Sequence, residues 1–286
     1  MIEKPWLTEE LDNKPYTYDE EKLNKFIEQR QIYEAKQIID HELSNDEKLR
    51  EKVVPENYKQ MRRARVAKNF MKMENPGIDI MNLTKYEKDN LEAYYKALQM
   101  SVNFAKDENF YLDDRAMVMI HCQVFSKDID QKQYCRYRLR NAMDEKPLIG
   151  KGYFEPVDGE DVNSRTSILL YDYEETWKDD NIFARGAKFV SEYVRIQPHL
   201  QGNKRVALII LNYTLLKNGY PDIYFDKEQI NDLYDCLKES ILTRDVTNFA
   251  CLIAKNVSNY YHAVVQRIED VKVDNFLKKT NDNIKK

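Results

Sequence analysis

The segment Gln197-Pro198-His199-Leu200-Gln201-Gly202-Asn203-Lys204-Arg205 joins a proline-stiffened loop to a glycine, an asparagine and a basic pair. Gly202 lets backbone approach a ligand closely, and Asn203 opens a long helix. The first turn of a helix carries N–H groups without intrahelical partners and a partial positive charge, to which Lys204 and Arg205 add full charges. Together these features make an anion site, most naturally one for phosphate. The same spacing also fits a second reading, in which Asn203 is a helix cap and the basic pair solvates the helix start, because Gly-Asn is a common turn former.

The helix that must hold this loop is the most apolar in the chain, with 206–216 reading Val-Ala-Leu-Ile-Ile-Leu-Asn-Tyr-Thr-Leu-Leu. Being apolar on nearly every side, it is expected to be central and buried. Gly219 sits where a left-handed cap is wanted, and Pro221 prevents continuation. Helical spacing predicts further helices over 19–43, 46–73 with a bend at Val54-Pro55, 84–104, 112–125, 159–177, 183–196, 227–241 and 245–268, with a frayed lysine-rich end from Lys278. His121 falls inside one of these and reads as a satisfied core histidine. The interval 143–154 differs, because Pro147-Leu148-Ile149-Gly150-Lys151-Gly152-Tyr153-Phe154 carries an apolar pair, a Gly-x-Gly turn and an aromatic pair, the signal of a short β-hairpin. The turn-rich Glu74-Asn75-Pro76-Gly77 divides an N-terminal helical segment, 1–77, from a core over 78–224, with C-terminal helices over 225–286.

Seven glycines and eight prolines in 286 residues, with abundant helix formers, predict an all-α protein. A net charge of -4 supplies no general field for nucleic acid or an anionic membrane. Cys122, Cys135, Cys236 and Cys251 show no metal spacing, and the start of the chain has no apolar run for a signal peptide. The expected compartment is cytoplasmic.

The loop and the helix behind it resemble the Fic/Doc family, whose pattern is His-Pro-Phe-x-(Asp/Glu)-Gly-Asn-Gly-Arg-x-x-Arg followed by an apolar helix that often ends in Gly-Tyr-Pro. Pro198, Gly202, Asn203, Arg205 and Gly219-Tyr220-Pro221 match it. The resemblance implies a Fic-domain helical bundle with a short β-hairpin flap, in which Leu148, Ile149, Gly150, Lys151 and Gly152 would clamp a protein target beside the site. Tyr137-Arg138 and Glu155-Pro156 are similar to the residues that flank the family's flap. The implied activity is AMP transfer from ATP to protein hydroxyls, and the implied ligands are a nucleotide, ATP foremost, and a protein docked on the flap.

The departures concern chemistry. Gln197 stands at the position of the family's proton-abstracting histidine, and a carboxamide cannot take and return a proton near neutral pH. Gln201 replaces the metal-binding acid, so no metal ligand is assigned and magnesium is expected to be held poorly. Leu208 replaces the second arginine. The expected function is therefore a catalytically impaired adenylyltransferase relative that keeps a nucleotide or phosphate site at Gly202, Asn203, Lys204 and Arg205. His199, at the family's phenylalanine position, is the alternative base. A slow or altered transferase of the Doc type, suggested by Lys204, and a purely structural interaction module are the other readings. Phe70-Met71-Lys72-Met73-Glu74-Asn75 is similar to the family's N-terminal inhibitory helix, which makes Glu74 the candidate inhibitory carboxylate.

Overall fold

The computed structural model describes residues 14–75, 77–127, 137, 148–149, 152–153, 156–226 and 228–284. Helix starts follow side-chain chemistry. Thr84 and Glu87 form a reciprocal capping box at α5 (Lys85–Lys106), Asp113 caps α6 (Asp114–Val124) through the Ala116 N–H, and Asn181 caps α8 (Ile182–Ile196) through the Phe183 N–H. The first predicted helix is two: α1 (Glu20–Gln29) and α2 (Ile32–Asn45) meet at Gln31, whose φ is 50°. The physical reason is phase. Leu23 and Ile27 share one face, but Ile32 and Ala35 lie off that stripe in a continuous helix, and the left-handed residue re-aims them so that both sets are buried. α3 (Glu47–Val53) and α4 (Glu56–Glu74) are separated by the expected break at Val54-Pro55.

Helix α9 (Asn203–Lys217) is the centre. It packs on α8, α5 and α6, and from Arg205 through Leu215 every residue is buried. Gly186 on α8 marks the tightest crossing, since a Cβ there would lie 2.6 Å from Leu211 Cδ1. α9 ends in a Schellman motif: the Tyr220 N–H donates to the Leu215 carbonyl at 2.9 Å, the Gly219 N–H to the Leu216 carbonyl at 3.1 Å, and Gly219 takes φ 75°. Between α6 and α8 lie α7 (Val162–Tyr171) and a π-helical turn, Asp172–Thr176.

α10 (Gln229–Thr243) and α11 (Thr247–Ile284) close the fold, with α11 laid against α1, α2, α3 and α8. α11 runs well past the expected end near Ile268. Val264 and Ile268 pack with Leu43, Leu49 and Val53, the Lys272–Glu42 pair at 2.7 Å continues the contact, and the helix runs on to Ile284, past Lys278. Leu148–Ile149 (β1) and Gly152–Tyr153 (β2) pair antiparallel, Leu148 opposite Tyr153, with β1 beside α10. Gly150 and Lys151 between them, and Pro147, Phe154, Arg138 and Glu155 around them, lie outside the described residues. No helix among the described residues is long and apolar enough to cross a membrane.

A Cβ on Gly219 would meet nothing closer than Lys36 Nζ at 3.8 Å, so substitution there tests backbone strain alone. Gly219→Ala is expected to lower stability by roughly 1–2 kcal/mol in urea denaturation, with the slope unchanged.

Candidate functional site

The loop between α8 and α9 is held by one side chain. Asn203 Nδ2 donates to Gln197 Oε1 and to the His199 carbonyl, both at 2.7 Å, while Asn203 Oδ1 accepts the His199 N–H at 3.0 Å. Gln197 is left-handed (φ 50°, ψ 63°) and its Nε2 donates to the Val194 carbonyl at 2.6 Å, so both ends of its carboxamide are engaged. Asn203 is thus the first residue of α9 and a loop clamp, not a cap. The cap is Gly202, at φ 79°, and intrahelical bonding begins with the Val206 N–H donating to the Gly202 carbonyl at 3.0 Å.

Beneath the loop two imidazoles stack. His121 from α6 and His199 are both fully buried, with ring centroids 3.6 Å apart and planes 11° from parallel. His121 Nε2 lies 2.9 Å from the Gln201 carbonyl, which can only accept, so Nε2 carries the proton. Phe125 at 4.8 Å from the His121 ring and Tyr137 at 5.2 Å from the His199 ring flank the stack. The expected core role of His121 therefore has a specific content: it ties α6 to the residue before Gly202. Burial, and next the neighbouring His199, hold the His121 imidazole down to about 2; the bond to the Gln201 carbonyl opposes this, and Arg205 adds to it.

The expected phosphate ligands divide between two sides. Arg205 is buried: its Nη1 donates to the Tyr94 hydroxyl, its guanidinium carbon lies 5.0 Å from the Tyr94 ring and 4.8 Å from the Phe125 ring, and Nη2 sits 3.4 Å from where a Gly202 Cβ would be. Its charge underlies the Gly202 turn. A Cβ at Gly202 would also lie 2.5 Å from Phe125, so only glycine fits both the backbone angle and the space. Lys204 turns the other way, its Nζ 5.0 Å from the Tyr234 ring on α10. Gln201 is exposed. Magnesium finds no carboxylate at this position, only a neutral amide, and the residues present do not fit that ion.

α8 is braced just before the loop. Glu192 accepts from Arg195 Nη2 at 2.6 Å and Nε at 2.9 Å, and from Arg244 Nη1 at 2.7 Å. Burial alone would raise the Glu192 carboxyl, but the two guanidinia outweigh it and bring it to about 2. On the other side of α9, Leu208 meets α4: Phe70 and Met73 line one apolar recess with Leu208, Leu211 and Phe225. Polar bonds frame that joint, from Arg62 Nη2 to the Asp222 carbonyl at 2.5 Å, Arg65 Nη1 to the Tyr224 hydroxyl at 2.8 Å and Asn69 Nδ2 to the Phe225 carbonyl at 2.7 Å. Glu74 is the last residue of α4, and its side chain lies outside the described residues. Nothing in the sequence singles out Tyr94 and Phe125. Twenty tyrosines and eleven phenylalanines offer no signal for which pair would flank a loop arginine.

Residues 111–215 match the profile of the Fic/DOC family, and over this stretch the chain belongs to that family. The fold is similar to that of a Fic domain containing signaling protein from Bacteroides thetaiotaomicron, at 17% identity over 86% of this chain and 98% of that one, with a TM-score of 0.62. A Fic family protein from Desulfovibrio desulfuricans is similar at 14% identity over 91% and 77%, TM-score 0.65. Fic-1 (aa134–508) from C. elegans is similar at 15% identity over 87% and 73%, TM-score 0.63. No curated protein sequence matches the chain.

This geometry has two measurable outcomes. Because the folded imidazole of His121 titrates below its unfolded value near 6.5, its stabilisation is complete above that pH and is lost as pH falls through it, at up to about 1.4 kcal/mol per pH unit. Urea stability measured from pH 7 to 5 is expected to fall along this slope, and His121→Gln, which keeps an amide donor but cannot be protonated, is expected to flatten it by half or more. Tyr94→Phe removes the acceptor of a buried guanidinium and is expected to cost roughly 1–3 kcal/mol in the same assay.

Proposed function

We propose that this chain binds the phosphates of a nucleotide, ATP foremost, on the first turn of α9 and does not transfer AMP. Fic-domain proteins commonly transfer AMP or other nucleotides to proteins, which makes a nucleotide the natural ligand for the loop. Support for binding comes from the left-handed Gly202, the helix N-terminus directly after it, the Arg205 charge beneath the turn and Lys204 at its edge. The observation that carries the second half is the state of Gln197. Its amide is closed between Val194 and Asn203 and has no group basic enough to accept a proton near neutral pH. Loss of a general base costs roughly 100- to 10,000-fold in rate. Leu208 in an apolar joint and Gln201 in place of an acid remove two further contacts to a triphosphate and its metal. His199 is buried against His121, which argues against it as a replacement base.

Calorimetric titration with ATP tests binding: wild type is expected to release or absorb heat with a saturating isotherm, and Lys204→Glu to weaken it at least 5-fold by placing a like charge beside the phosphates. A wild type that gives no heat at millimolar ATP removes the proposal. Incubation with labelled ATP and magnesium tests transfer. No labelled protein is expected from wild type, and Gln197→His alone is expected to stay at background because positions 201 and 208 remain changed. Labelling by wild type would show the chain to be an active enzyme.

A further inference from the structure

The last two helices carry a pair of thiols that no part of the loop chemistry uses. α10 and α11 run antiparallel from a corner at 244–246, where the N-terminal segment joins by a bridge between Thr17 and Asp245. Across this pair, Asn248 Nδ2 donates to both carboxylate oxygens of Glu239 at 2.9 Å. One helical turn further from the corner, three residues back along α10 and three on along α11, stand Cys236 and Cys251. One more turn brings Asp232 and Lys255. All six line a single open groove, with Phe26 of α1 at its side, and both sulfurs are half-buried free thiols reachable from solvent. Facing positions on packed antiparallel helices, whose axes lie roughly 8–10 Å apart, are where a cross-link needs least backbone movement.

We propose that Cys236 and Cys251 are an oxidisable pair that closes into an intrachain disulfide, stapling α10 to α11. The oxidant is a small disulfide of the glutathione class. The thiolate of one cysteine attacks a sulfur of that disulfide and expels one small thiolate, leaving a mixed disulfide on the protein. The second cysteine, on losing its proton, attacks the protein sulfur of that mixed disulfide and expels the other small thiolate. Two protein S–H bonds are replaced by one S–S bond, the oxidant is reduced to two thiols, and the two protons end on them.

The environment of the pair gives the bond its character. Burial first, then the carboxylates of Glu239, Asp232 and Asp235, push the Cys236 thiol up to about 12, and burial also raises Cys251. Both are protonated at neutral pH, so oxidation is slow there. The reduced form gains nothing from a stabilised thiolate, and the disulfide, once closed, resists reduction. α10 lies beside β1 and α8, so the staple would stiffen the wall against which the hairpin rests.

The test is oxidation of the full chain with oxidised glutathione at pH 8.5, then alkylation, intact mass and peptide mapping. Loss of two hydrogens and a linked peptide joining Cys236 to Cys251 are expected, with Cys122 and Cys135 still alkylated and the melting temperature raised by roughly 5–10 °C. Cys236→Ser and Cys251→Ser, each checked by circular dichroism for an unchanged fold, should each abolish the linked peptide. Persistent glutathione adducts at Cys236 or Cys251, full alkylation of both, or a link through Cys122 or Cys135 in wild type would overturn the proposal.

Discussion

The carboxamide of Asn203 is the constraint on which the loop depends. Three of its hydrogen bonds converge on Gln197 and on both backbone groups of His199, joining the end of α8 to the start of α9 across six residues. A turn this short needs two left-handed residues, Gln197 and Gly202, to reverse the chain, and non-glycine backbone at positive φ persists only where its surroundings over-determine it. Asn203 does that from one side and the Val194 carbonyl from the other. A glutamine closed at both ends is thereby part of the loop's own frame.

Around that frame, charge is buried only where it is answered. Glu192 is surrounded by two guanidinia, and Arg244 in turn lies 4.6 Å from the Tyr16 ring, so the network fastens α8, the corner after α10 and the first described residues to one another. Removing one partner of such a network leaves an uncompensated charge in low dielectric, which is more damaging than replacing the whole set. Arg205 meets a phenol oxygen and two aromatic faces. Its guanidinium lies beneath the Gly202 turn, between the two rings.

Much of this was legible beforehand. The apolar run of 206–216, the Gly219 ending and the capping residues dictate local structure, and the structure obeys them. The break at Gln31 was hidden because a change of helical phase by one residue leaves the composition of a stripe untouched. The length of α11 was hidden because its last turns are polar and owe their contacts to α2 and α3, elements far away in sequence. At the site, Gly202 and Asn203 read as a turn that opens a helix, and the structure has both. What they could not announce is pairing: His121 with His199 across 78 positions, or Tyr94 with Arg205 across 111, since tertiary partners are set by packing and not by spacing.

The joint between α4 and α9 has a consequence for motion. An ion pair at Leu208 would be weakened by dissolved salt and could be exchanged for contacts to water at little net loss. A seam of Phe70, Met73, Leu208 and Leu211 answers to different variables. Parting it would wet hydrocarbon, raising the heat capacity, so the event is resisted most near room temperature and eased by urea instead of by ionic strength. Parting α4 would also break its packing along α5 and its arginine bonds to the strap at 222–225, so the opening would resemble local melting more than the swing of a hinge.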